Sequence, residues 1–543
     1  MTIRSFALLA LLASAASHAL AGTLLTNVNG VTVDAKGKIQ RFTGILIGDD
    51  GKVARLLHDE QMKLPDGTEV LDGGGATVLP GLIDAHGHVM GLGYAVTQLD
   101  LVGTSSLADL QARLKRYAAA NPGEGWIIGR GWNQELWPTK AFPTAADLDA
   151  VVADRPVVLE RVDGHAVVVN SKAMAAANVT PTTQPIPGGR IENGLFVDAA
   201  KALIDDKVPQ PDLATRDHAF AEAQEQMLRV GLVGAADMGS TVEDWATFRR
   251  AGEAGKLKVR IISYASAIPG WRGINGGKPT GWMYGERLKL AGTKLYADGA
   301  LGSRGAWLKK PYHDHTDTSG LSLLTPEELW AEADEVASGG GQIATHAIGD
   351  AANAEVITAY EKLAAKYGRT GRWRIEHLQI VDPKDLPRLK PAGIIASMQP
   401  THQTSDRLMA EARLGKGRLG GAYAWRTIER MGVPLAFGSD FPVESPNPFP
   451  GLSAAISRQD PNGQPPGGWR PQERVSLGRA LHGFTRGAAY AGKAEATLGC
   501  LDAGCQADFI LVDRDPTKVN AKELAKTKVL ETWIGGVKAW AAN

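Results

Sequence analysis

The chain has 543 residues, 59 Lys plus Arg against 59 Asp plus Glu, 44% hydrophobic residues, 64 Gly and only two Cys. This apolar fraction excludes a disordered chain, the balanced charge offers no basic excess for nucleic acid, and two thiols cannot build a disulfide-dense scaffold or a four-thiolate zinc site. At about 150 residues per domain the length suits three or four domains, unless one is a barrel, which takes about 250 to over 400 residues as one unit.

Residues 1–21 read as a secretory signal: Arg4, an apolar run from Phe6 to Ala16, and Ala19-Leu20-Ala21 before Gly22. The run is too short to span a bilayer, and a buried N-terminal helix is the alternative. No later segment reaches about 18 uninterrupted apolar residues, so no membrane span is expected. The signal predicts a mature protein outside the cytoplasm, with a bacterial periplasm as the expected compartment. There Cys500 and Cys505, in the turn-rich Gly499-Cys500-Leu501-Asp502-Ala503-Gly504-Cys505, read as a disulfide clip, with two free buried thiols as the alternative.

Residues 22–80 carry short β-like runs broken by turns, such as Gly30-Val31-Thr32-Val33 and Gly44-Ile45-Leu46-Ile47. Residues 486–543 have the same texture, so both ends are expected to build one composite β-sandwich. Between them, residues 81–485 present eight short apolar strands ending in polar or glycine-rich loops: 81–88, 231–238, 259–265, 290–296, 342–346, 373–377, 394–398 and 434–440. Helical stretches such as Thr325 to Ser338 and Ala351 to Lys366 separate most of them. This pattern predicts an α/β fold, a TIM-like (β/α)8 barrel whose chemistry sits at the C-terminal strand ends. The long first gap predicts an inserted subdomain at about 124–225, placed to cover the barrel mouth.

His86 and His88, two apart on the first strand, project to one face and can grip one metal ion. His313 and His315 share that spacing but lie in a Pro/Asp/Gly-rich loop and read as solvated. His346 ends the fifth strand, His377 the sixth and Asp440 the eighth. Turn chemistry does not account for four histidines and an aspartate all landing at C-terminal strand ends, whereas imidazole and carboxylate are suitable zinc ligands. Glu376, beside His377, falls on the opposite strand face and reads as structural. Trp132, Trp137, Trp271, Trp282 and Trp307 lie in loops, where loop packing is expected for most and an apolar substrate wall for some.

With these residues the sequence resembles the amidohydrolase superfamily, and more narrowly its YtcJ-like branch, which includes N-substituted formamide deformylases. The branch resemblance covers almost the whole mature chain. It rests on Gly129-Arg130-Gly131-Trp132, Asp163-Gly164-His165 with Asn170-Ser171, the run Asp298 to Arg304, Gln399-Pro400-Thr401-His402, and Gly438-Ser439-Asp440-Phe441-Pro442. The resemblance implies His86, His88, Lys294, His346, His377 and Asp440 as ligands of one or two divalent ions, zinc by preference. It further implies carboxylation of Lys294, because a bare ammonium has no lone pair to offer. Asp298, with the same strand parity as Lys294, stays open as a rival ligand, and an ion pair of Lys294 with Asp440 stays open for a one-metal site.

The implied reaction is hydrolysis of an amide-like C–N bond other than a peptide bond in a small-molecule substrate, by metal-activated water. Asp440 is the general acid/base, and His165 and His402 are further catalytic candidates lining the pocket. Ester, lactone or organophosphate hydrolysis on the same site, and a non-catalytic binding protein on this scaffold, are the alternatives. The sequence carries no signal for oligomeric state.

Overall fold

The computed structural model describes residues 22–58, 64, 67–180, 182–184 and 186–542. Its centre is an eight-stranded parallel sheet made of β1 (Leu82–Gly87), β2 (Leu232–Ser240), β3 (Arg260–Ser266), β4 (Leu288–Tyr296), β5 (Gln342–Ala347), β6 (Arg374–His377), β7 (Ile395–Met398) and β8 (Leu435–Phe437). Each strand pairs with the next in chain order, and a parallel bridge from Gly87 to Phe441 brings the end of β8 back to β1. The expected (β/α)8 barrel is therefore present and nearly closed, each strand within two or three residues of its predicted bounds.

These strands are buried on both faces, which is why they read as continuous apolar runs rather than alternating ones. Every residue of β1, β5, β6, β7 and β8 is buried. The helices outside carry local start signals. After α1 (Val89–Thr97) and α2 (Leu213–Arg229) comes α3 (Pro326–Ser338), where Thr325 and Glu328 form a reciprocal capping box and Pro326 occupies the first turn. Next are α4 (Asp350–Tyr367) and α5 (Pro400–Leu414), the latter directly after β7.

The insertion after β1 is a six-stranded sheet in the order Gly189–Glu192, Leu195–Asp198, Ala166–Val169, Val157–Arg161, Ile127–Trp132 and Leu99–Asp100. Its first strand lies before residue 124. The predicted bounds of the insertion run into the helix α2, which packs instead against α1 of the barrel. Asn170 ties the inserted sheet together: its Oδ1 accepts from Val157 N and Ala173 N, and its Nδ2 donates to the carbonyls of Val152 and Arg155.

Both termini join one sandwich, as expected. A six-stranded sheet mixes Val537–Ala541, Val529–Ile534 and Phe509–Val512 from the C-terminal side with Thr77–Pro80, Asn29–Val33 and Ile39–Phe42 from the N-terminal side. It faces a four-stranded sheet across a core that includes Ile45, Val53, Val78, Phe509 and Trp533. The predicted disulfide Cys500–Cys505 is present. It clips the turn whose Cys505 carbonyl accepts from Val53 N, at 2.8 Å, so it steadies a junction between the two halves. The segment read as a secretory signal lies outside the described residues. Among the described residues no helix is long and apolar enough to cross a membrane.

Arg260 at the start of β3 locks barrel to sandwich. It makes a bidentate pair with Asp508, at 2.6 and 2.8 Å, with both residues buried. Removing one partner of a buried pair strands a charge and costs about 3–5 kcal/mol. Asp508→Ala is therefore expected to lower unfolding stability by about that amount in denaturant titration; a loss below about 1 kcal/mol, the scale of an exposed pair, would show that the lock is not structural.

Candidate metal centre

The centre begins with a buried relay. His86 leaves β1 with its ring fully enclosed and Nδ1 2.6 Å from Glu376 Oε2. A carboxylate at Nδ1 fixes the tautomer and leaves the Nε2 lone pair free for a metal. Arg374 grips Glu376 in turn, Nε to Oε1 at 2.7 Å and Nη2 to Oε2 at 3.1 Å, and also donates to the Ala85 carbonyl and to Ser397 Oγ. Strands β6 and β1 are not neighbours, so this relay crosses the barrel interior.

Glu376 and His377 do diverge, as their adjacent positions predicted, but the strand-face argument put the inward position on the wrong residue. Glu376 points into the barrel and orients a candidate ligand. His377 reaches the centre because its φ of 72° lies in the left-handed region and turns it off the strand end.

Asp440 is the hub. Its Oδ1 lies 3.1 Å from His88 Nε2 and 3.4 Å from His86 Nε2, and its Oδ2 lies 3.5 Å from His402 Nε2. Burial opposes its ionisation, but the facing His86 and His88 hold the carboxyl well below the usual range. The local sequence explains its pose. Asp84 on β1 accepts from Ser439 N and Ser439 Oγ, clamping the end of β8. A Cβ on Gly438 would sit 2.4 Å from Asp84 Oδ1, so only glycine permits that approach. Asp440 then takes φ 63°, a costly conformation for a residue with a side chain, held by its surroundings.

Two groups of ligand atoms converge on this carboxylate: His86, His88 and Asp440, and His377, His402 and Asp440. His402 was expected in the pocket and belongs to the second group. His377 is steadied by Gln399, whose Oε1 lies 2.9 Å from Nδ1. His346 stands beside the groups without joining either: its ring is 4.6 Å from that of His377 and its Nε2 is 3.4 Å from Asp298 Oδ1. Burial draws the pKa of His346 down to about 4 and those of His86 and His377 well below the usual imidazole range.

Lys294 is 1% exposed, with Nζ 3.3 Å from His86 Nε2, and burial lowers its pKa to about 8. Its rival Asp298 is engaged elsewhere. Its oxygens accept from Trp307 N, Ile348 N and Gly349 N and tie the loop after β4 to that after β5. The donor set fits a divalent transition metal. Imidazoles surround a carboxylate, and among the described residues Asp440 Oδ1 and His402 Nε2 are buried without a hydrogen-bond partner, as atoms awaiting a cation would be.

Above the centre opens a cavity of about 1040 Å³, walled by barrel loops and the insertion. His165 lines it, its Nδ1 held 2.7 Å from Asp198 Oδ1 and its ring 5.1 Å from that of His346. Asp198 reaches the barrel through a glycine gap: a Cβ on Gly299 would lie 2.6 Å from its Oδ1. The tryptophans do not form the wall. Trp132, Trp137 and Trp271 are buried in cores, while Trp282 and Trp307 pack against one. His313 and His315 sit in an exposed loop, as expected.

The Amidohydrolase family model matches residues 69–538. The chain is 31% identical over 505 residues to the putative amidohydrolase YtcJ of Bacillus subtilis (strain 168), covering 90% of this chain and 94% of that protein. It is 26% identical to the N-substituted formamide deformylase of Arthrobacter pascens, over 95% of this chain and 97% of that protein. The crystal structure of an uncharacterized metal-dependent hydrolase from Pyrococcus horikoshii superposes with a TM-score of 0.74 at 28% identity, over 92% of this chain and 99% of that one.

If Glu376 sets the pose of His86, Glu376→Gln is expected to weaken metal affinity about 10–100-fold in chelator competition, the usual scale for an outer partner of a ligand histidine. Circular dichroism would establish that the variant folds; native affinity in a folded variant would remove Glu376 from the centre.

Proposed function

The chain belongs to the amidohydrolase family, and on that premise we propose that it is an exported metal-dependent hydrolase that cleaves an amide-like C–N bond of a small molecule. The observation that carries this reading is the Asp440 carboxylate, shared by two histidine groups at the floor of a large cavity. His86, His88 and Asp440 would hold one ion, and His377 and His402, with His346 and a carboxylated Lys294 beside them, a second. Zinc suits this donor set. Similarity to the N-substituted formamide deformylase of Arthrobacter pascens supports the choice of a C–N bond.

A bound divalent ion supplies Lewis-acid activation of water and of the substrate carbonyl. The protein's own groups do the rest. Asp440 accepts the proton of the attacking water and returns it to the leaving nitrogen as the C–N bond breaks, which keeps the proton count balanced. His165, held by Asp198, lines the cavity and orients the carbonyl group for attack. Arg130 links the insertion to the loop after β8 by donating to the carbonyls of Pro442 and Val162, so the cavity wall stays in register with Asp440.

Export rests on Arg4, the apolar run from Phe6 to Ala16 and Ala19-Leu20-Ala21, and the Cys500–Cys505 disulfide supports an oxidising compartment such as a periplasm.

The test is turnover of a panel of formamides, longer acyl amides, esters and lactones by the metal-loaded protein. Amides are expected to lead, and chelation is expected to abolish turnover that zinc then restores. Asp440→Asn is expected to lower kcat about 10²–10⁴-fold, the range for a lost general acid/base. Full turnover in that variant would take the proton-transfer role away from Asp440.

A further inference from the structure

The charged groups around the cavity are unevenly matched. Outside the metal centre its wall carries four cations, Arg130, Arg161, Lys201 and Arg407. Each already faces a carboxylate: Arg130 and Lys201 pair with Glu160, Arg161 with Asp163, and Arg407 with Asp460. Two half-buried carboxylates on the same wall, Asp406 and Glu444, form no close ion pair among the described residues. Asp406 accepts from Gln379 Nε2 at 2.9 Å and from Tyr423 OH at 2.7 Å. Glu444 accepts from Ser405 Oγ at 2.6 Å, which brings the two acids to the same turn of α5.

Their position relative to the chemistry follows from the helix. His402 and Asp406 are four residues apart on α5, hence neighbours about 5–6 Å apart on one face. His402 itself lies 3.5 Å from Asp440. The acids therefore stand one helical turn above the centre, within reach of a short arm on a bound substrate. A second feature of the same cavity points to a ligand. Thr401, 8% exposed and lining the cavity, has a hydroxyl without a hydrogen-bond partner among the described residues. Burial raises both Asp406 and Glu444 above the usual carboxylate range, a cost that a cation would relieve.

We propose that Asp406 and Glu444 form a cation subsite, and that the preferred substrates are amides whose non-reacting arm carries an ammonium or guanidinium group. This rests on the hydrolase reading above and names the substrate class for the same cavity. The arm's positive charge would enter a wall whose own cations are all committed, and charge-assisted hydrogen bonds to two carboxylates would hold it.

The test uses metal-loaded protein and two amides of equal length, an N-acyl diamine with one protonated amine and the N-acyl alkylamine. The expected result is a preference for the cationic amide in kcat/KM of about tenfold or more, carried by KM. The readout for the subsite is the ratio between the two substrates. Glu444→Gln, which disturbs a single hydrogen bond, and the double variant with Asp406→Asn are each expected to shrink that ratio. A purely structural role would move both substrates together and leave the ratio intact, which would overturn the proposal. So would equal turnover of the two amides by the native protein, with the hydrolase reading left standing. Calorimetric titration of butylammonium against butanol separates the opposite case: acid-dependent binding of the ammonium ion without turnover of any amide would keep the subsite and remove the hydrolase reading.

Discussion

A carboxylate that is 5% exposed has to be compensated, and Asp440 is faced by histidine rings rather than by an arginine or a row of backbone amides. Burying an ionised group without a partner is among the costliest things a fold can do. Among the described residues Oδ1 has no hydrogen bond, and its compensation rests on the facing histidines, while burial opposes the protonation of His86. A divalent cation among these atoms would resolve that conflict, compensating the carboxylate and using the imidazole lone pairs. Much of the surrounding structure follows from placing that one carboxylate: the Asp84 clamp, the glycine at 438 and the left-handed backbone at 440.

The site is assembled from distant stretches of chain, each brought in by its own fastening. The barrel supplies the floor at its C-terminal strand ends. The insertion supplies His165 through Asp198 and walls the cavity through Arg130, which reaches the loop after β8. The sandwich supplies none of the candidate ligands, and the Arg260–Asp508 pair ties it to the opposite, N-terminal end of β3. A barrel stabilised from below and covered from above leaves the strand ends free to carry strained conformations such as those of His377 and Asp440.

The architecture was legible because parallel barrel strands are buried on both faces and so appear as short apolar runs of the right length. The residues at their ends were legible for a related reason: a histidine or aspartate that interrupts such a run, at a strand's C-terminal end, has little business there structurally. His86, His88, His377 and Asp440 were readable in this way, and structure brings them together. What escaped were contacts across the lumen. The Arg374–Glu376–His86 relay joins β6 to β1, and no periodicity reports which side chain of one strand meets which of another. The local signal was present, an arginine and a glutamate two apart in a buried strand, but the left-handed turn at His377 reversed the assignment of faces. The convergence of His402 on Asp440 depends on how α5 follows β7, again a matter of packing. The start of the insertion was misplaced because its first strand, Leu99–Asp100, has two residues and no pattern to read.

The central claim is that the atoms around Asp440 hold a divalent transition metal. Anomalous scattering at the zinc absorption edge and at neighbouring edges, from crystals grown without chelator, tests it most directly. The account requires a peak within coordination distance of His86, His88 and Asp440, with any second peak on the side of His377 and His402. Catalytically active crystals with no peak at Asp440, or with metal only at the exposed His313 and His315, would contradict it.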